Sequence, residues 1–136
     1  MGTILYVEDE AFVREVTREI LHSAGFRVLA ATTAGQAAEI YEQHPLEIDL
    51  LLSDLILPGE NGCQLAVRLR AKNPALRVLL VTGYQDRMAE RQPVWDGCLA
   101  KPFSSAVLLS RIRQTLDQSG LVPGMETVLR PACESA

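Results

Sequence analysis

The chain has 136 residues, of which 48% are hydrophobic and 22% charged, and its formal net charge is -4. This length is typical of one domain with its own core, and the composition excludes an intrinsically disordered chain. Lysine and arginine are scattered, so no nucleic-acid-binding surface is expected, and no apolar run is long enough to cross a membrane. Because the N-terminus shows no signal-type segment, we expect a cytoplasmic protein.

Short apolar runs that favour β-strands alternate along the chain with segments of helical periodicity. The predicted strands are Thr3–Val7, Arg27–Ala31, Asp49–Ser53, Val78–Val81 and Cys98–Ala100. Strands that alternate with helices predict βαβ units, so we expect a parallel sheet with right-handed crossovers and helices on both faces.

The predicted helices fill the gaps between the strands. The first has apolar residues at helical spacing from Phe12 to Leu21 and ends at Gly25, and the second begins after the N-cap Thr33. "NGCQLAVRLRAKNP" predicts a third helix, whereas the stretch Gln85–Trp95 is short and polar and contains a proline, so a short or irregular helix is expected there. The last helix has Ser104 or Ser105 as its N-cap. Its predicted buried face consists of Val107, Leu108, Ile112 and Leu116.

The three cysteines give no sign of a metal site. Cys63, Cys98 and Cys133 are widely spaced, and the sequence has no CxxC motif. We interpret them as reduced thiols, which agrees with a cytoplasmic location.

Polar residues follow four of the predicted strands, at the edge where open parallel sheets bind ligands. They are Glu8, Asp9, Asp54, Thr82, Gly83 and Lys101. Each alone has an ordinary explanation: an acidic residue after a strand often caps a helix, and Asp54 could begin a turn. Together they place three carboxylates, a hydroxyl and an ammonium at one edge. Three close carboxylates require a cation, and Mg²⁺ suits oxygen ligands and phosphoryl groups. This combination predicts a phosphoryl-transfer site with Asp54 as nucleophile.

These motifs resemble the receiver domain of bacterial two-component response regulators. The resemblance extends from Thr3 to about Gln118 and is carried by "VEDE", "DLILPGENG", "TGY" and "KPF", in that order and at compatible spacing. It implies an α/β, flavodoxin-like fold: a doubly wound five-stranded parallel sheet in the order 2-1-3-4-5. We therefore predict a receiver domain over residues 1–118, followed by a tail or linker stub over 119–136.

The resemblance assigns a role to each residue at the acidic edge. Asp54 resembles the aspartate that accepts a phosphoryl group, and Asp9 resembles the direct Mg²⁺ ligand. Glu8 stands where relatives usually carry a second aspartate, and the backbone carbonyl of Ile56 is expected to complete the protein ligands.

On the other side of the site, Thr82 resembles the switch hydroxyl, with Gly83 leaving space beside it. Lys101 resembles the ion-pair partner of the phosphoryl group, and its bond to Pro102 is expected to be cis, as in relatives.

The sequence departs from the family pattern at the switch and at the positions that tune dephosphorylation. Cys98 lies three residues before Lys101, where relatives usually carry Tyr or Phe. Relatives tune hydrolysis of the phosphoryl group two positions after the aspartate and two after the threonine, which here are Ile56 and Tyr84. Because an apolar side chain cannot orient water, we predict slow self-dephosphorylation.

The predicted function is a phospho-accepting signalling switch, not an enzyme beyond its own phosphorylation and slow dephosphorylation. The resemblance implies a sensor histidine kinase or a histidine phosphotransfer protein as partner, leaves room for a homodimer, and implies no direct contact with nucleic acid or membrane. "VREVTREIL" and "VLLVTGY" are similar to receivers of hybrid sensor histidine kinases. Two alternatives remain: a docking module with the same shape that is independent of phosphorylation, and a small phosphatase. The phosphatase lacks a general acid two residues after Asp54, where Ile56 stands.

Overall fold

A parallel sheet of five strands forms the centre of the fold, in a computed structural model that describes residues 2–82, 96–101 and 103–117. The strand order is β2-β1-β3-β4-β5, and every neighbouring pair is parallel. The strands are β1 (Thr3–Val7), β2 (Arg27–Ala31), β3 (Leu50–Asp54), β4 (Arg77–Thr82) and β5 (Gly97–Ala100). The predicted fold class and strand order are confirmed.

Four helices are described, and three of them begin at a side-chain cap. They are α1 (Ala11–Ser23), α2 (Ala34–Gln43), α3 (Gly62–Lys72) and α4 (Ser105–Asp117). Thr33 caps α2, as predicted, and Asn61 and Gln64 form a reciprocal capping box at α3. The Ser104 hydroxyl accepts a hydrogen bond from the Val107 amide at 3.1 Å, so Ser104 caps α4.

The helices cover both faces of the sheet and enclose two hydrophobic clusters. Residues of α2 and α3 pack on one face and residues of α1 and α4 on the other. Because β3 is covered on both sides, all five of its residues are buried, which explains its unbroken apolar run up to the serine.

The structure corrects the limits of three predicted strands and one predicted helix face. The third strand runs one residue later than predicted and includes Asp54, while the fourth and fifth begin one residue earlier and the fourth extends to Thr82. Strand ends move by a residue because the ladder of hydrogen bonds continues beyond the apolar run. Val107 is 45% exposed, so the prediction that it is buried is wrong. It lies next to the buried face of α4, which includes Leu108 and Ile112.

Two predicted segments lie outside the described residues: the short helix over Gln85–Trp95 and the tail over 119–136. Among the helices that are described, none has the length and hydropathy required to cross a bilayer.

Candidate functional site

The carboxyl ends of β1 and β3 bring three acidic residues together. The register pairs Val7 with Ser53, so the next residues on these two strands, Glu8 and Asp54, lie side by side. Together with Asp9 they can each present a carboxylate oxygen such that all three atoms lie within 4.8 Å of one another. The sequence placed these residues at one edge of the sheet, and the structure shows them as one cluster.

Two of the three carboxylates are buried, and a lysine faces both of them. Glu8 is 2% exposed and Asp54 6%, whereas Asp9 is open to solvent. The Lys101 Nζ atom lies 3.3 Å from Asp54 Oδ1 and 3.5 Å from Glu8 Oε1. Its backbone amide donates to the Thr82 carbonyl at 2.8 Å, which holds the start of the loop after β5 against the end of β4.

Burial and crowding of like charge weaken the acidity of Asp54. Burial, then the hydrogen bond and the negative charge of Glu8, raise the pKa of Asp54 from 3.8 to about 8, although Lys101 opposes the change. Burial lowers the pKa of Lys101, but the charges of Asp54 and Glu8 outweigh this effect and raise it. The protein groups alone leave the site short of positive charge, with one ammonium facing two buried carboxyl groups.

The donor set fits a small divalent cation. Asp54 Oδ1 is buried and accepts no hydrogen bond from the described residues, whereas the Lys101 ammonium donates to the other oxygen, Oδ2, at 3.4 Å. Octahedral Mg²⁺ binds oxygen at about 2.1 Å, which places its ligand atoms about 3 to 4 Å apart. Carboxylate oxygens within 4.8 Å of one another reach this spacing by small rotations. The side chain of Ile56 is 58% exposed, and the role of its carbonyl as a ligand stays a prediction.

The loop after Asp54 is tied to β4 and to α3 by backbone hydrogen bonds. The Leu55 amide donates to the Val81 carbonyl, and the Gly62 amide donates to the Leu55 carbonyl, both at 2.8 Å. The buried Ser53 hydroxyl donates to the Asp54 carbonyl at 2.8 Å. Hydrogen bonds within β3 and to β4 and α3 thus hold the backbone around Asp54, the proposed acceptor.

Two positioning residues beside this loop, Ser53 in β3 and Gly62 in the first turn of α3, were not predicted from the sequence. A Cβ atom added to Gly62 would lie 2.2 Å from the Asp54 carbonyl oxygen and 3.0 Å from the Ser53 hydroxyl. The sequence suggested only a turn at Asn61-Gly62, whereas glycine is required here because the first turn of α3 approaches the strand end closely. The signal for Ser53 was a hydroxyl that interrupts an apolar run.

The structure leaves several predicted site residues untested. Thr82 is 4% exposed and ends β4 one residue after Val81, the register partner of Asp54, and its role in the switch remains a prediction. Gly83, Tyr84 and Pro102 lie outside the described residues, so their predicted roles and the cis peptide bond remain predictions.

Cys98 lies in β5, where its carbonyl accepts a hydrogen bond from the Arg111 guanidinium. It is disulfide-bonded, whereas Cys63 is free and buried. The prediction that every cysteine is a reduced thiol is therefore wrong for Cys98. Spacing along the chain could not show this, because a disulfide requires only that two Cα atoms lie within about 7 Å in the fold.

Comparison with known proteins identifies the family. The family model described as the response regulator receiver domain matches residues 4–113. The chain belongs to this family. It is therefore a phospho-accepting signalling switch of the kind used in two-component systems, as the sequence predicted.

Three similar proteins illustrate the range of the family. The chain is 34% identical over 120 residues to the sensor kinase CckA of Brucella abortus, covering 86% of this chain and 13% of CckA. It is 36% identical over 124 residues to the phosphate regulon regulator PhoB of Pseudomonas aeruginosa, covering 87% of this chain and 53% of PhoB. The response regulator TrrA of Thermotoga maritima, solved in complex with Mg(2+)-BeF, superposes with a TM-score of 0.76 at 26% identity, covering 85% of this chain and 99% of TrrA.

The chain thus spans about half or less of the length of these two curated relatives. Receiver domains bind Mg²⁺ at an acidic pocket and accept phosphoryl groups from histidine kinases. They act as signalling switches and in general are not conventional enzymes. In this receiver, Glu8, Asp9 and Asp54 form an acidic cluster at the carboxyl edge of the sheet.

Proposed function

We propose that Asp54 is the residue that accepts the phosphoryl group, in a Mg²⁺-dependent transfer from a phosphohistidine. The donor is a sensor histidine kinase or a histidine phosphotransfer protein. The observation that carries this proposal is the cluster itself: carboxylate oxygens of Glu8, Asp9 and Asp54 within 4.8 Å, with the Lys101 ammonium 3.3 to 3.5 Å from two of these residues.

In the proposed transfer, an Asp54 carboxylate oxygen attacks phosphorus while the bond from phosphorus to the histidine nitrogen breaks and the imidazole leaves. Glu8, Asp9 and Asp54, together with the Ile56 carbonyl, would hold Mg²⁺, which when bound would supply positive charge to the carboxylates and to the phosphoryl oxygens. The Lys101 ammonium neutralises a further part of the charge on the phosphoryl group.

The proposed switch begins with the hydroxyl of Thr82. A phosphoryl group on Asp54 adds about -1.5 to -2 charge and new acceptor oxygens. Thr82 follows Val81, the register partner of Asp54, at the end of the neighbouring strand, and its hydroxyl is proposed to donate to one of these oxygens, with Gly83 leaving room. Movement of Thr82 toward the phosphoryl group then biases the adjoining loop.

An apolar groove beside the site supports a protein as phosphoryl donor. The groove lies between α1 and the segment that joins β5 to α4, has a volume of about 380 Å³ and includes Phe12, Val16 and Phe103 in its lining. Lys101 also lines it and faces Asp54. A kinase segment seated there would bring its phosphohistidine to the acidic cluster, which accounts for the 79% exposure of Phe12.

A phosphodonor without a kinase tests the proposed acceptor directly. Incubation with acetyl phosphate and Mg²⁺ is expected to add one phosphoryl group, about 80 Da, to the intact mass, since receivers promote their own phosphorylation. The addition should be absent in EDTA and in Asp54→Asn. Addition to Asp54→Asn at the parent rate would refute Asp54 as acceptor.

We predict that Ile56→Asn shortens the lifetime of the phosphorylated form. The amide of asparagine can orient an attacking water, and one such hydrogen bond of about 1 kcal/mol corresponds to about fivefold faster hydrolysis. Ile56 is exposed, so the substitution does not disturb the core. The loss of the added mass is followed over time after the phosphodonor is removed.

Val67→Asn provides the control for this prediction, because Val67 is an exposed apolar residue on α3. Equal lifetimes for Ile56→Asn and the parent would rule out Ile56 as the cause of slow dephosphorylation. We propose that Tyr84, the second predicted tuning position, also affects the rate of dephosphorylation.

The remaining features of the proposal concern the whole protein. We propose the receiver over residues 1–118 with 119–136 as a tail or linker stub, and a cytoplasmic location, where kinases draw phosphoryl groups from ATP. A homodimer and the absence of direct contact with nucleic acid or membrane are likewise proposals. The receiver is proposed to catalyse only its own phosphorylation and slow dephosphorylation. The comparisons give no support to a docking module independent of phosphorylation.

A further inference from the structure

Arg14, on the first turns of α1, reaches back to the end of β1. Its Nη1 atom donates a hydrogen bond of 2.9 Å to the Glu8 carbonyl oxygen, and its side chain is half-buried. This oxygen belongs to the peptide unit that joins Glu8 to Asp9. A hydrogen bond to this oxygen therefore fixes the orientation of the Glu8-Asp9 peptide plane. It also fixes the direction in which the chain continues from the end of β1 to Asp9.

The hydrogen bonds between β1 and β2 extend to the Glu8 amide, which donates to the Ala31 carbonyl at 3.1 Å. Beyond Ala31 the Thr32 amide donates to the Gln36 side chain and Thr33 is the N-cap of α2, so the chain that follows β2 turns into a helix beside the Glu8 carbonyl. Because a buried carbonyl without a donor is costly, the charged fork of Arg14 provides a strong local partner there.

A second contact fixes Glu8 from the same helix. Glu8 Oε2 accepts a hydrogen bond from the Glu10 amide at 3.1 Å, and Arg14 stands one turn further along α1. The start of α1 thus holds both the carbonyl and the side chain of Glu8. Only the carbonyl contact also controls the orientation of Asp9.

We propose that Arg14 is a positioning residue for the cation site: it holds the Glu8-Asp9 peptide so that both carboxylates converge with Asp54. This inference rests on the proposed Mg²⁺ role of the acidic cluster. A positioning role of Arg14 can be distinguished from a simple charge effect, because the two change the affinity for the cation in opposite directions. Removing a positive charge near an acidic cluster strengthens cation binding, whereas releasing the peptide plane weakens it.

The test compares Arg14→Met with Arg18→Met. Arg18 lies one turn further along α1 and pairs on the surface with Glu15 at 3.0 Å, so its variant loses the same charge without touching Glu8. Binding of Mg²⁺ alone is measured by calorimetric titration. Arg14→Met is expected to raise the Kd about tenfold, the low end of the effect of removing a group that orients a metal ligand. Arg18→Met is expected to stay within about twofold, since exposed pairs contribute little.

A second readout needs no metal. In EDTA, the amide nitrogen resonance of Asp9 is expected to shift in Arg14→Met and not in Arg18→Met, because only the former releases the peptide plane. If Arg14→Met does not fold, Arg14→Lys takes its place: it keeps the charge, its ammonium falls short of the carbonyl, and it is expected to weaken binding in the same direction.

The outcomes separate this inference from the proposed function. An unchanged or lower Kd in Arg14→Met, with normal binding and phosphorylation of the parent, overturns the role of Arg14 alone. A parent that neither binds Mg²⁺ nor accepts a phosphoryl group overturns both. A higher Kd confined to the Arg14 variants supports the positioning role.

Discussion

Replacing Asp54 by asparagine is expected to stabilise the metal-free protein, and the gain should grow with pH. Burial and the proximity of Glu8 raise the pKa of Asp54 to about 8 in the folded protein, from an ordinary value of 3.8. The folded state therefore binds a proton on the Asp54 carboxyl group more tightly than the unfolded chain does. The stability that this protonation contributes is fully present below about pH 4 and is lost as the pH rises toward 8. Asparagine keeps the shape without the charge.

In EDTA, chemical unfolding of the two proteins at pH 5 and at pH 8.5 measures this effect. We expect the advantage of Asp54→Asn to increase by about 2–4 kcal/mol between the two pH values, the lower part of what the pKa difference allows. Mg²⁺ should reduce the advantage, because a ligand of the native state stabilises the parent. An advantage that is the same at both pH values would contradict the proposed burial of a carboxyl group with a raised pKa.

Replacing Gly62 by alanine is expected to disturb both stability and phosphorylation. The added methyl group would meet the Asp54 carbonyl oxygen at 2.2 Å, and this atom belongs to the backbone of β3 rather than to a movable side chain. Relief requires α3 or the end of β3 to shift. We expect a loss of about 1–3 kcal/mol, the usual range for overpacking, together with slower phosphorylation because Asp54 itself is displaced.

Gly35→Ala is the matched control. Gly35 lies on α2, and the nearest atom to a Cβ added there is the Thr33 hydroxyl at 3.9 Å. This variant is expected to gain about 0.4–1 kcal/mol, since alanine restricts the unfolded chain. Chemical unfolding and the rate of mass addition from acetyl phosphate measure both variants. If Gly62→Ala matched Gly35→Ala in both, the close approach of α3 to the strand end would have no functional importance.

The alternation of apolar runs and helical segments was sufficient to predict the fold. Strands covered on both faces read as unbroken apolar runs, and residues 50–52 of β3 show this pattern clearly. The acidic edge was also predictable, because parallel strands all end at the same side. Glu8, Asp54 and Lys101 could therefore be placed together before any coordinate was known.

What the sequence did not show depends on distances of a few ångströms. The contact of Gly62 with Asp54 arises from the close approach of the first turn of α3 to the end of β3, and the bond from Arg14 to Glu8 arises because α1 begins soon after β1 ends. Neither follows from periodicity. The exposure of Val107 was missed for a related reason, since the boundary of a buried helix stripe depends on the packing partner.

The central claim is that the phosphoryl group is attached to Asp54. Borohydride reduces an acyl phosphate to an alcohol and so converts a phosphorylated aspartate into homoserine, which survives digestion. The protein is incubated with acetyl phosphate in Mg²⁺ or in EDTA, reduced, digested and analysed by tandem mass spectrometry. We expect homoserine at position 54 in the Mg²⁺ sample alone. Homoserine at Asp9 instead, or at position 54 to the same extent without Mg²⁺, would contradict the account.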